Sequence, residues 1–126
     1  MKLTNHFDSK EFDCKNGTPY PPPWIKDRLQ PLAEALEVVR QFLGKPLIIL
    51  SGYRTAAWNQ KVGGSTGSQH LLGRAADVRC AGFTGAQFAE VFEKLIKDRL
   101  IPNGGLGTYS NRVHYDQRVK PARWRG

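Results

Sequence analysis

The sequence predicts an α+β domain in which a small, mainly antiparallel sheet packs against two main helices. Three observations lead there. Residues 25–43 and 84–96 repeat apolar side chains at helical spacing. Residues 47–50, 74–79 and 105–117 hold short runs with the length and composition of strands. The order helix, strand, strand, helix, two strands is not the regular alternation that builds a parallel sheet.

Each element has its own justification. Residues 1–23 read as an irregular lead-in, because Gly17, Pro19, Pro21, Pro22 and Pro23 exclude regular helix. Phe7 and Phe12 are expected to pin this segment to the core. Ile25, Leu29, Leu32, Leu36, Val39 and Leu43 then recur at alternating steps of four and three, which places them on one helix face. Pro31 either kinks that helix or marks its start as a first-turn proline. Gly44 and Pro46 close it.

Leu47, Ile48, Ile49 and Leu50 form a continuous apolar run suited to a buried strand, leading into Ser51, Gly52, Tyr53 and Arg54. Thr55 can cap a short helix over residues 56–60. Residues 63–68 read as a glycine- and serine-rich loop, and residues 74–79 as a strand of small and apolar side chains. Thr84 and Gln87 have the spacing of a capping box. Phe88, Val91, Phe92, Leu95 and Ile96 supply the buried face of the helix that follows, and Pro102, Gly104 and Gly105 end it. Residues 105–109 and 112–117 are expected as two strands around a turn at Ser110 and Asn111.

The bulk properties bound the function. A chain of 126 residues is expected to form one domain, residues 1–126. Its 40% hydrophobic and 24% charged residues are ordinary for a soluble globular protein, expected as a monomer. No stretch approaches the ~20 apolar residues of a membrane helix, so no membrane insertion is expected. The segment MKLTNHFDSKEF lacks the apolar run of a secretory signal, so cytoplasmic synthesis without a signal peptide is expected. A net charge of +8 draws the protein to polyanions, whether nucleic acid or an anionic cell wall. Lys and Arg are dispersed rather than gathered in one arm, which weighs against nucleic acid. Cys14 and Cys80 are too sparse for a disulfide scaffold and lack a CxxC spacing, so reduced thiols are expected, with a single disulfide open in an oxidising compartment.

The chemistry concentrates around His70 and Asp77. Gly73 permits a tight bend between them, and Ala75 and Ala76 leave room for the side chains to meet. An imidazole nitrogen and a carboxylate oxygen are suitable zinc ligands, and a catalytic zinc needs three protein ligands with one position open. The chain has three histidines. His114 lies on an expected strand able to pair with that of Asp77, whereas His6 lies in the lead-in and is the weaker candidate. A His-x6-Asp spacing alone is a weak signal; the acidic neighbours of His70 and His114 on expected adjacent strands strengthen it.

Asp116 follows His114 by two positions and shares its face of a strand. It is expected either to accept a proton as general base or to orient His114; the bland alternative is a surface aspartate beside Arg118. Arg54 is expected to bind a substrate carboxylate or stabilise an oxyanion, unless it ties down the loop around Ser68. Ser68 either hydrogen-bonds substrate or holds that loop. Trp58 and Trp124 read as packing residues.

Ser51, Gly52, Tyr53 and Arg54, then Asn59, then Val62, Gly63 and Gly64, then the run from Ser68 through His70 and Gly73 to Asp77, and finally Val113, His114, Tyr115 and Asp116 resemble the zinc D-Ala-D-Ala carboxypeptidase and L-alanyl-D-glutamate endopeptidase group, whose metal site is shared with the Hedgehog signalling domain. The resemblance spans residues 47–118. The segment with Phe7, Glu11 and Phe12 is similar to that of short single-domain members found in phage genomes. The resemblance implies the corresponding fold, one zinc per chain held by His70, Asp77 and His114, and hydrolysis of a peptide bond in the peptidoglycan stem peptide. It also implies action on the cell wall in lysis or remodelling, reached by holin-type release or as part of a phage particle. Many relatives place Glu, Asp or His two or three residues before the last zinc histidine. Asn111 and Arg112 stand there in this chain, which leaves the general base open. A non-catalytic zinc-bearing wall-binding or phage structural module is the alternative.

Overall fold

Proline and glycine set where the first helix runs. In the computed structural model, which describes residues 1–126, helix α1 spans Gln30–Leu43 and carries Pro31 in its first turn. A first-turn proline lacks only an N–H that would go unpaired anyway. Residues Ile25–Leu29, expected to continue the same helix, form a wider π-helical turn ahead of it. Pro31 therefore marks a start rather than a kink. Gly44 ends the helix in the left-handed conformation, with φ 64°. Leu29, Leu32, Leu36 and Val39 are fully buried, as the four-three spacing requires.

Strand β1 (Ile48–Ser51) leads to the short helix α2 (Ala56–Lys61), capped by the Thr55 hydroxyl accepting from the Trp58 N–H. Strand β2 is Ala75–Arg79. Helix α3 (Gly85–Lys97) begins with the capping box of Thr84 and Gln87. Strands β3 (Gly105–Thr108) and β4 (Val113–Asp116) follow, then β5 (Ala122–Arg125). The last strand is absent from the sequence expectation. Ala122, Arg123, Trp124 and Arg125 do alternate apolar with charged residues, but over only four positions, and β5 is a half-exposed edge strand paired parallel to β3.

The sheet order is β1-β2-β4-β3-β5, antiparallel except for that last pairing. Alternate residues divide its two faces. Ala76, Val78, Leu106, Val113 and Tyr115 are buried in one core with the apolar faces of α1 and α3. Within it the Phe92 ring lies 5.4 Å from Tyr115 and 5.0 Å from Phe88. On the other face, residues in register form a row across every strand: Ser51, Asp77, His114, Gly107 and Trp124. An irregularity between Ile49 and Ser51 brings Ser51, in place of Leu50, opposite Asp77. The next row holds Ala75, Asp116, Gly105 and Ala122, whose small members leave space around the one carboxylate.

The lead-in is short of regular structure but well anchored. It contains a 3-10 turn at Ser9–Phe12, and Phe7 and Phe12 are buried as expected. Glu37 on α1 accepts from the Thr4 hydroxyl at 2.7 Å and the His6 amide at 2.8 Å, with the His6 Nδ1 at 2.7 Å. Cys14 and Cys80 are both buried free thiols. No helix is long and apolar enough to cross a membrane.

Burial works against charge on Glu37, but the bonds from Thr4, His6 and Gln41 outweigh it and hold its pKa at about 2, below the ordinary 4.5. A depressed carboxylate pKa contributes stability above the unfolded value and loses it as the pH falls through the folded value. Glu37→Gln should therefore cost about 1–3 kcal/mol near neutral pH, the worth of charged hydrogen bonds left unmade. In urea titrations the deficit should shrink as the pH is lowered from about 4.5 toward 2. A deficit of constant size over that range would mean that Glu37 acts through packing alone.

Candidate metal centre

His70 is set by the turn that carries it. It lies in a 3-10 turn, Gln69–Leu72, whose cap Ser68 accepts from the His70 amide at 3.2 Å. Gly73 reverses the chain with φ 68° and delivers it into β2. The lead-in holds this reversal in place: the Tyr20 hydroxyl donates to the Gly73 carbonyl, and Arg28 Nη1 donates to the Leu72 carbonyl at 2.8 Å. The His70 ring, almost wholly buried, places Nδ1 2.7 Å from the Gly52 carbonyl oxygen. A carbonyl only accepts, so Nδ1 carries the hydrogen and the Nε2 lone pair faces Asp77 Oδ1 at 3.2 Å.

His114 is held the opposite way round. Its Nε2 lies 2.7 Å from Asp116 Oδ2, and its Nδ1 faces the same Asp77 Oδ1 at 3.1 Å. Burial resists ionisation of Asp116, but hydrogen bonds from His114 and Arg118 outweigh it and hold the carboxyl well below the usual range. The ionised carboxylate only accepts, so the His114 hydrogen sits on Nε2. The two rings thus use different nitrogens toward one oxygen, with centroids 5.0 Å apart.

The donor set of His70, Asp77 and His114 has ligand atoms all within 4.8 Å of one another. Two ring lone pairs and a carboxylate oxygen repel unless a cation, a proton or a metal ion, lies among them. Without a metal, Asp77 and Asp116 raise the pKa of His114 against the effect of its burial. Asp77 titrates well below its ordinary value, because bonds from His114 and His70 outweigh its burial. Two imidazole nitrogens and one carboxylate oxygen fit zinc with a further position open. His6, the third histidine, stands apart against Glu37.

Arg54 occupies the β1 end of the row. Its guanidinium donates to Ser51 Oγ at 3.2 Å, Asn59 Oδ1 at 3.2 Å and Asp77 Oδ2 at 3.3 Å. The loop-tying role is seen here: Arg54 steadies Asp77 and, through buried Asn59, the loop at Ser65, and it also lines the cavity above the cluster. Ser68 likewise lines the cavity while capping the turn of His70. The cavity holds about 460 Å³; Arg54, Arg112 and Arg118 line it, and Asp77 is its sole carboxylate.

Asp116 does not face that cavity. It has no exposed surface and lies across the His114 ring from Asp77. Oδ1 accepts from the Gly105 amide at 2.9 Å and the Arg118 amide at 3.0 Å, while Oδ2 takes Arg118 Nη2 at 2.7 Å as well as His114. The structure thus supplies the contact through which Asp116 orients His114, and no free oxygen for a proton from the cavity. The surface alternative is excluded by its burial.

The opposite end of the row was not anticipated. Trp124, read as a packing residue, has its ring 5.0 Å from His114 and lines the cavity. It reaches across β3 because Gly107 between them has no side chain; a Cβ there would strike the indole. Trp124 Nε1 donates to the Tyr109 hydroxyl at 3.0 Å, and the Arg112 guanidinium lies 4.3 Å over the Tyr109 ring. The available signal was Gly105 and Gly107 alternating about Leu106, since glycine within a strand marks a close approach.

The family model described as Peptidase M15 matches residues 4–116. No curated protein matches the chain. The matched span includes all three members of the cluster, Arg54 and Asp116, and it covers most of the sequence: the chain belongs to the Peptidase M15 family.

Proposed function

We propose that this protein is a zinc-dependent peptidase that hydrolyses a peptide bond in the peptidoglycan stem peptide. The observation that carries the reading is the pair of imidazoles whose N–H groups are committed to Gly52 and Asp116, leaving both lone pairs aimed at Asp77 beneath an open cavity. When bound, zinc supplies a Lewis acid that polarises a carbonyl and makes water nucleophilic near neutral pH. His70, Asp77 and His114 would hold it. Arg54, with N–H groups beyond its three protein bonds, is suited to receive the substrate carbonyl or a nearby carboxylate. Asp116 acts through His114, fixing its tautomer and ring plane. The basic cavity and the net charge of +8 suit an anionic wall polymer.

One observation favours a second reading, a zinc-bearing wall-binding module without catalysis: no carboxylate besides Asp77 lines the cavity to serve as base. Incubation of the zinc-loaded protein with purified peptidoglycan separates the two. Soluble stem-peptide fragments, read by mass spectrometry, identify the bond cut. Wall binding with no fragment released would establish the module instead.

Zinc content tests the ligand set. The purified protein should carry about one zinc per chain, and His70→Ala or His114→Ala should each remove most of it. Zinc retained in full by both variants would exclude this cluster.

Asp116→Asn tests the orienting role. The variant should lose about 10–100-fold in zinc affinity and recover turnover when zinc is raised. Turnover still depressed by about 10²–10⁴-fold at saturating zinc would instead place Asp116 in proton transfer.

A further inference from the structure

The three guanidiniums around the cavity are not equivalent. Arg54 is tied to Asp77, and Arg118 is tied to Asp116. Arg112 has no carboxylate partner and no side-chain hydrogen bond; its guanidinium lies over the face of Tyr109, 4.3 Å from the ring centroid. Stacking of this kind fixes the plane of a guanidinium and leaves its donor edge free. That edge belongs to the cavity wall built on Tyr109 and Trp124, beyond His114 in the row that starts at Ser51. Arg54 stands at the other end, beside Asp77. The cluster thus lies between two arginine-bearing walls, of which only that of Arg112 has an uncompensated charge.

We propose that Arg112 is a specificity-determining residue that receives a free carboxylate of the substrate. The Tyr109–Trp124 pair would form the apolar floor beside it. The substrate class is then an acidic peptide with a carboxylate on the Trp124 side of the scissile bond. This deepens the peptidase reading and rests on it. Such a carboxylate exchanges solvent for a planar fork of N–H donors, the geometry in which arginine exceeds lysine.

The test uses the zinc-loaded protein and a peptidoglycan stem pentapeptide, which holds both the L-Ala-D-Glu and the D-Ala-D-Ala bond, together with versions in which each free carboxyl group in turn is converted to the amide. Hydrolysis is followed by mass spectrometry and binding by calorimetry. For the unaltered protein, one amidation should lower kcat/KM and affinity by about 10–100-fold, the worth of a charged hydrogen-bond pair. Arg112→Gln should lower both for the acid peptide by a similar factor and make that one amidation silent, a non-additivity diagnostic of direct contact. Arg112→Lys should recover part of the loss. Zinc content of the variants verifies that the centre is intact. An equal loss for every peptide would assign Arg112 to the support of Tyr109 and overturn the proposal, as would no loss at all. Acid-selective binding that depends on Arg112, without any hydrolysis, would uphold the subsite and defeat the peptidase reading. Absence of both binding and hydrolysis would defeat both.

Discussion

One carboxylate oxygen facing two imidazole lone pairs is the constraint around which this molecule is arranged. Asp77 Oδ1 has His70 Nε2 at 3.2 Å and His114 Nδ1 at 3.1 Å. Each ring is turned toward it by an acceptor on its far side, a backbone carbonyl for His70 and the Asp116 carboxylate for His114. Those acceptors have supports of their own. Gly52 packs against Phe12 so closely that a Cβ would meet its carbonyl oxygen at 2.6 Å, and Asp116 is buried under Arg118 and the Gly105 amide. A buried group of like-polarity atoms is tolerated only when its geometry is over-determined, and every strand and the lead-in contribute to that here.

What was readable in the sequence follows from the range of the interactions. Helix α1 and its apolar face depend on residues three and four apart, and the Thr84 cap on residues three apart. His70 and Asp77 are joined by a short glycine-containing reversal, and the scarcity of histidines singled out His114. The π-helical turn before Pro31 was hidden because the apolar spacing continues through it. Strand β5 was hidden for a different reason: its partner β3 lies earlier in the chain with β4 between them, and its apolar alternation runs for only four residues.

The roles of Asp116 and Trp124 depend on register, which spacing along one strand does not supply. The two-residue step from His114 to Asp116 placed both on one face, and this was correct. Whether the carboxylate faced the cavity or the back of the ring was decided by Gly105 and Arg118, which close around it. Trp124 became part of the cavity because Gly107 leaves an empty place in the row. Its identity as an aromatic residue suggested packing, and it does pack, against His114.

The row across the sheet also bears on how the chain folds. Asp77 and His114 are 37 positions apart, and they meet only when β2 and β4 pair. An unfolded chain offers a metal ion little more than the local His70–Asp77 pair, so tight chelation belongs to the native sheet. Binding to the native state alone raises apparent stability by mass action. A metal ion held by this cluster would therefore couple its occupancy to unfolding, and a chelator would lower the apparent stability of the sheet by the same linkage.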